Sequence, residues 1–362
     1  MAASRPHILW FGDLGHESWH LVGGKNAGLG EMMRRGVRVP PGFALTTVAF
    51  DAFLEQAGLR RAIRRSLEGL DPHDPNAIDG ASAEIRELME SAPLPGAVEE
   101  DLAASYAVLA EKLGTPRPPV AVRSSATAED TAEASFAGQQ ESYLCVAGPE
   151  SLALYARRCW SSLYTSQAIS YRLEIGSAAD SASISVGVQS MVDARVAGVM
   201  FTISPISGDP SKIVVEASWG LGLCVVGGEV TPDDYWVDKV TLGILRRSIC
   251  RKHVKYVPDP RTGGVARLEV PAAEQQIPCL SDEEVLELAR LGKALEASYG
   301  SALDIEWAID ARLDFPESVM MLQCRPETVW SNRPVEPITH ARANTLDYVL
   351  GALMPRARPG SS

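Results

Sequence analysis

Leu303-Asp304-Ile305-Glu306-Trp307-Ala308-Ile309 and, across Asp310–Ser318, Val319-Met320-Met321-Leu322-Gln323-Cys324-Arg325 are the stretches on which the reading of this chain turns. Both alternate in character with the two-residue period of a β-strand that has unlike faces. Asp304 and Glu306 share one face of the first strand, with Leu303, Ile305 and Trp307 on the other. On the second, Gln323 and Arg325 share a face, with Leu322 and Cys324 opposite. Pairing the two as a hairpin puts two carboxylates, an amide and a guanidinium on one side of a sheet. Carboxylate and amide oxygens suit Mg²⁺, which keeps several waters and takes its other ligands from nucleotide phosphates. A guanidinium beside them can grip a phosphate with two parallel hydrogen bonds. The same pattern also describes a solvated hairpin face whose acid–base pair is worth about 0–1 kcal/mol, and alternation alone leaves both readings open.

Working outward, two further clusters have the chemistry of phosphate binding. Val122-Arg123-Ser124-Ser125-Ala126-Thr127-Ala128-Glu129-Asp130 reads as a strand ending in an arginine and running into a small-residue loop, continued by Ser135-Phe136-Ala137-Gly138-Gln139-Gln140-Glu141-Ser142. Backbone amides and hydroxyls in such a loop can approach phosphates closely, with Arg123 supplying charge, although a Ser/Ala surface loop has the same composition. Gly23-Gly24-Lys25 precedes a helical run to Arg35, a place where amides and an ammonium can capture an anion. It is not the G-x-x-x-x-G-K-[ST] loop, since Trp19 and Asn26 occupy two of the required positions.

The rest of the chain reads as α+β. Amphipathic helices follow Thr46 or Thr47 up to Gly58, and then cover Ile85–Ala92 and Val98–Leu113; another lies around Cys159–Tyr171. Ser281-Asp282-Glu283-Glu284 is a capping box that opens a helix running to Gly300. Strands are expected at Val120–Val122, Ile184–Val192, Val196–Thr202 and Ile213–Ala217, and the pattern divides near residue 190 into mixed sheets.

Composition narrows the function classes. A formal charge of −12 over 362 residues disfavours nonspecific binding to nucleic acid or an anionic membrane. No run approaches the ~20 apolar residues that span a bilayer, and the start of the chain has no signal-like apolar core. The six cysteines are scattered, without C-x-x-C pairs, and read as reduced thiols of a cytoplasmic protein.

Taken together, these runs resemble the nucleotide-binding domain of the phosphoenolpyruvate synthase, pyruvate phosphate dikinase and rifampin phosphotransferase family. The resemblance is carried by Gly23–Gly30, Val39-Pro40-Pro41-Gly42-Phe43, Val122–Asp130, Ser135–Gln140, Gly198–Thr202, Glu216–Gly222, Asp304–Trp307 and Gln323–Pro326, in family order. It implies an ATP-grasp-type fold, two lobes closing over ATP and Mg²⁺. The lobes would be residues 1–189, with a helical insert at about 46–114, and 190–330, followed by a linker or tail at 331–362. Carried over by position, Lys25 and Arg123 resemble phosphate-holding residues, and Gly138 and Ser142 the loop that covers the phosphates. Gln189 resembles the adenine-side hinge. Glu306 and Gln323 resemble metal ligands supported by Asp304, and Arg325 the terminal-phosphate arginine. Leu223 stands where the family usually has Glu after Gly-Leu-Gly.

The family passes phosphate from ATP to a histidine on a mobile domain, in a Gly-Gly-x-x-Ser/Thr-x-His context that none of the six histidines matches. His340 is the near miss and reads as a linker residue. The expectation is therefore a nucleotide-loading subunit whose phosphohistidine lies on a separate polypeptide. A chain of this length resembles the ATP-binding beta subunits of phenylphosphate synthases, which phosphorylate phenol while converting ATP to AMP and phosphate. A split pyruvate,water dikinase or an antibiotic phosphotransferase is the alternative within the same chemistry. A nucleotide-sensing module without catalysis would predict erosion of Asp304, Glu306, Gln323 or Arg325, and all four are present.

Overall fold

The computed structural model describes residues 6–56, 58–126, 141–175, 183–259 and 261–330. Described residues up to Glu327 belong to one compact unit, and those from Thr328 to another. Gly138, the surrounding loop, His340 and the 331–362 tail lie outside the described residues.

The first sheet holds β1 (Ile8–Trp10), β2 (Gly42–Leu45), β3 (Val120–Ala126), β4 (Ser142–Val146) and β5 (Ile184–Ser190), in the order β1-β2-β5-β3-β4. Alternation decides its faces. Phe43, Leu45, Val120, Val122, Val186 and Val188 join an apolar core with Phe50, Phe53, Leu102 and Trp160. Ser125, Ser185, Gly187 and Gln189 alternate with them and turn the other way. Helix α1 (Trp19–Arg34) lies on that second side: Asn26 Nδ2 donates to Ser185 Oγ at 2.9 Å. Helices α2 (Thr47–Gln56), α3 (Leu59–Leu67), α4 (Pro75–Ser91), α5 (Gly96–Leu113) and α6 (Pro149–Ser161) supply the apolar core of the first side, joined by α7 (Ser166–Glu174).

Two departures from the sequence reading concern helices on this side of the sheet. The chain does not leave helix after Gly58: that glycine turns through a left-handed conformation and α3 begins at once. The single helix expected at Cys159–Tyr171 is two, because Thr165 is extended and its hydroxyl caps α7 by accepting from Ala168 N–H.

The second sheet is built from β6 (Ala194–Phe201), β7 (Lys212–Trp219), β8 (Asp233–Asp238) and β9 (Ile244–Ser248). A short α8 (Leu223–Val226), the two-stranded pair β10 (Val254–Asp259) and β11 (Gly264–Glu269), and α9 (Asp282–Tyr299) intervene before β12 (Leu303–Asp310) and β13 (Val319–Pro326) complete it. Its order is β13-β12-β6-β7-β8-β9. One face packs on α9 through Met200, Val215, Leu288, Ala289, Leu295 and Trp307. The segment between β9 and β10 is held by a fully buried ion pair, Lys252 Nζ to Asp233 Oδ1 at 2.5 Å.

Mixed sheets were expected, and the structure corrects this: every ladder in both sheets is antiparallel. In the second sheet connection length contributes: β6–β7, β8–β9 and β12–β13 are joined by turns too short for the crossover that a parallel pair requires. In the first sheet the direction is set by how strands distant in sequence pack together.

Helix α1 is the element both sheets share. Its residues Val22, Leu29 and Met32 belong to the core that contains Trp307 and Cys324. Two of its glycines allow close approach: a Cβ on Gly23 would stand 2.4 Å from Ser125 Oγ of β3, and one on Gly28 would stand 3.3 Å from the Cys324 carbonyl of β13.

Candidate functional site

The hairpin β12–β13 forms with the expected partners. Asp304 pairs with Arg325 and Glu306 with Gln323, so all four project from one face of the second sheet. Arg325 donates from Nε and Nη2 to Asp304 Oδ2 at 2.9 and 2.7 Å. Burial pushes the Asp304 carboxyl above its ordinary value, and the neighbouring Arg325 opposes that shift. Gln323 is only 8% exposed, and its amide has no hydrogen bond among the described residues.

One expectation fails here. The ladder shifts register between Glu306 and Trp307, leaving Leu322 without a partner. Leu322 packs with Ala197, Ala308 and Met320, not in the α9-facing core that takes Met321 and Cys324. The bulge therefore turns Leu322 to the side that carries Gln323, and re-aims the backbone next to the polar cluster.

The first sheet brings Arg123 to the same place. On β3 this residue sits opposite Ser142 of β4 and Gly187 of β5. Its Nη1 lies 3.4 Å from Glu306 Oε2 and 3.5 Å from the Leu322 carbonyl. These are long contacts for a guanidinium, whose close ion pairs run to about 2.7–2.9 Å. Its Nε is buried without a partner among the described residues. The guanidinium thus stands between the two sheets without saturating its donors. Gln189, two residues along β5 from Gly187 and on the same face, is 3% exposed, and its Nε2 also lacks a partner among the described residues. Buried donors left unpaired cost about 1–3 kcal/mol each, so their clustering fits a site that receives acceptor atoms from a ligand.

Lys25 was expected at the start of a helix, and α1 instead begins earlier, at Trp19. Gly23, at φ 70° and ψ 169°, breaks it, so Gly24 and Lys25 open its second segment. That kink recreates a helix start within a longer helix, and Lys25 is half-buried there. Ser142 is exposed at the first residue of β4, next to Arg123. Leu223, at the start of α8, is 37% exposed. Gly138 cannot be placed, lying outside the described residues.

Sequence reasoning passed over Glu216. Register puts Gln323, Glu306, Val199, Glu216 and Asp234 in one row across five strands. Glu216 is half-buried, and its carboxyl is pushed up by burial first, then by Asp234 and Asp304. The signal was available: a lone acid in the otherwise apolar strand Ile213-Val214-Val215-Glu216-Ala217. Among the described residues no three His, Cys, Asp or Glu side chains converge tightly enough to enclose a metal ion, and no helix is long and apolar enough to cross a membrane. The donor set of two carboxylates and an amide fits an ion that takes its remaining ligands from water and phosphate.

The sequence has relatives among known proteins. The family described as pyruvate phosphate dikinase, AMP/ATP-binding domain, matches residues 19–345. A protein named probable phosphoenolpyruvate synthase, from Staphylothermus marinus, is 44% identical over 90% of this chain and 42% of its own length. The phosphoenolpyruvate synthases of Aeropyrum pernix and Aquifex aeolicus are each 40% identical, over 92% and 91% of this chain and 43% and 40% of their own lengths. The chain thus spans less than half the length of these relatives.

Proposed function

The chain belongs to the pyruvate phosphate dikinase AMP/ATP-binding domain family, and from that premise we propose that it is the ATP-binding part of a phosphoenolpyruvate synthase type of phosphotransferase. The observation that carries this reading is the meeting of Arg123 from one sheet with Glu306 from the other, beside Gln323 and the Asp304–Arg325 pair. In an ATP-grasp arrangement the triphosphate lies between these sheets. Glu306 and Gln323 would hold the magnesium, which would supply charge neutralisation to the phosphates. Asp304 fixes the Arg325 fork, and Arg325, Arg123 and Lys25 accept the remaining phosphate charge. Ser142 and Gly138 belong to the covering loop, and the unpaired Gln189 amide meets the adenine side.

Phosphoryl transfer asks a protein chiefly for alignment and charge stabilisation, so this chain need not supply a general base. The acceptor is a histidine carried outside the residues that bind the nucleotide, on a partner or on another segment. Its imidazole nitrogen forms a bond to the β-phosphorus as the bond from that phosphorus to the AMP oxygen breaks; AMP leaves with the electron pair, and water takes the terminal phosphate. Over the full cycle, ATP, water and the final acceptor give AMP, phosphate and the phosphorylated acceptor. The names of the relatives support pyruvate, rather than phenol, as that acceptor.

The test supplies a histidine-bearing region of a phosphoenolpyruvate synthase in trans, with ATP labelled on its β and γ phosphates. We expect Mg²⁺-dependent labelling of that region, AMP formation, and discharge of label to pyruvate. Glu306→Gln should remove at least about 99% of the labelling rate, the scale of losing one electrostatic stabiliser. Labelling that persists in Glu306→Gln would sink the site assignment, and discharge to phenol alone would return the acceptor to phenol.

A further inference from the structure

Carboxylates on the polar face of the second sheet generally have a cation. Arg325 pairs with Asp304 at 2.7 Å, Arg123 with Glu306 at 3.4 Å, Arg246 with Asp234 at 2.6 Å and Lys212 with Asp238 at 3.3 Å. Glu216 has neither an ion pair nor a hydrogen bond among the described residues. It also stands directly across from Asp234, an arrangement of like charges that destabilises a sheet unless something positive intervenes.

Other unsatisfied groups share its surroundings. The Gln323 amide, at 8% exposure, ends the same row without a partner. Ser218, two residues along β7 and on the same face as Glu216, is 1% exposed, and its hydroxyl is unpaired among the described residues. Between Glu306 and Glu216 lies only Val199 of β6, a short side chain. Two strand spacings separate the acids, about 10 Å at the backbone. Side chains standing up from the sheet at that separation are too far apart to share one bare ion. A hydrated ion bridges more of the gap: one Mg–O bond of about 2.1 Å to Glu306, then a metal-bound water and one hydrogen-bond length to Glu216, about 7 Å between carboxylate oxygens that lean toward each other.

We infer that Glu216 is a positioning residue of the magnesium site, accepting hydrogen bonds from metal-bound water above Val199 and orienting the hydrated face of the ion that Glu306 and Gln323 hold. This rests on the reading of Glu306 as a metal ligand. Glu216 does not touch the ion, which agrees with the absence, among the described residues, of any three acids that could enclose one.

The test measures Mn²⁺ binding to the protein–ATP complex by electron paramagnetic resonance, alongside thermal unfolding without ligand. Glu216→Gln should weaken Mn²⁺ binding roughly tenfold, the usual scale for an outer-shell partner. Glu216→Asp should recover most of the affinity, because a water can adjust to a carboxylate one methylene shorter. The unfolding midpoint of Glu216→Gln should not fall, since the change relieves repulsion from Asp234. A lowered midpoint, or Mn²⁺ affinity unchanged while Glu306→Gln loses it, overturns the role of Glu216. Unchanged affinity in Glu306→Gln itself overturns the underlying site.

Discussion

Gly23 shows how one residue serves two purposes. Its φ of 70° is costly for any other residue, and a Cβ there would overlap both the hydroxyl and the carbonyl of Ser125. Gly23→Ala should therefore destabilise the protein by about 1–3 kcal/mol from backbone strain alone, with the overlap added. Urea unfolding checks this; an unchanged midpoint would mean that α1 has no need of its kink. The sequence shows the glycine pair but not its neighbour, because Ser125 is brought to Gly23 only by folding. Leu322 teaches the complementary lesson. Strict alternation assigns it to the buried side, and a one-residue bulge reverses that. Nothing in the local pattern announces the bulge.

Among the elements, those governed by local chemistry were readable. The capping box forms as written, with Ser281 Oγ accepting from Glu284 N–H and the Glu284 carboxylate accepting from Ser281 N–H. The short strands β1, β4, β8 and β9 were not readable, since half-exposed runs of three to six residues are stabilised by their neighbours more than by their own pattern. The turn from β8 to β9 carries its own pH dependence. Asp238 accepts from the N–H and hydroxyl of Thr241, from Lys212 and from Val240 N–H, which together hold its carboxyl at about 2 against an ordinary 3.8. A depressed carboxylate adds stability above its ordinary value and loses it as pH falls to the folded one. Asp238→Asn should thus unfold at a lower temperature than the parent at pH 6, with the gap closing between pH 4 and about 2. A gap that stays constant across that range would remove Asp238 from the turn's stability.

For the molecule as a whole, the decisive contact joins residues far apart in sequence, Arg123 on one sheet and Glu306 on the other. A ligand that sits between the sheets and requires the metal should stabilise the fold only when both are supplied. At a hundredfold excess over its dissociation constant, Mg·ATP should add about 2.7 kcal/mol. Calorimetric scans with ATP and Mg²⁺, against ATP and EDTA, read the difference; equal midpoints would place the nucleotide away from Glu306. The sequence by itself determined the α+β class, the alternation of β12 and β13, the helix caps and the order of motifs that marks the family. These follow from forces acting over a few residues: side-chain period, capping and turn preference. Tertiary structure alone decided that the ladders are all antiparallel, that α1 serves both sheets, that Leu322 turns toward the polar face, and that Glu216 lacks a cation among the described residues. Each of these depends on which strands become neighbours and in what register, and long-range packing sets that choice.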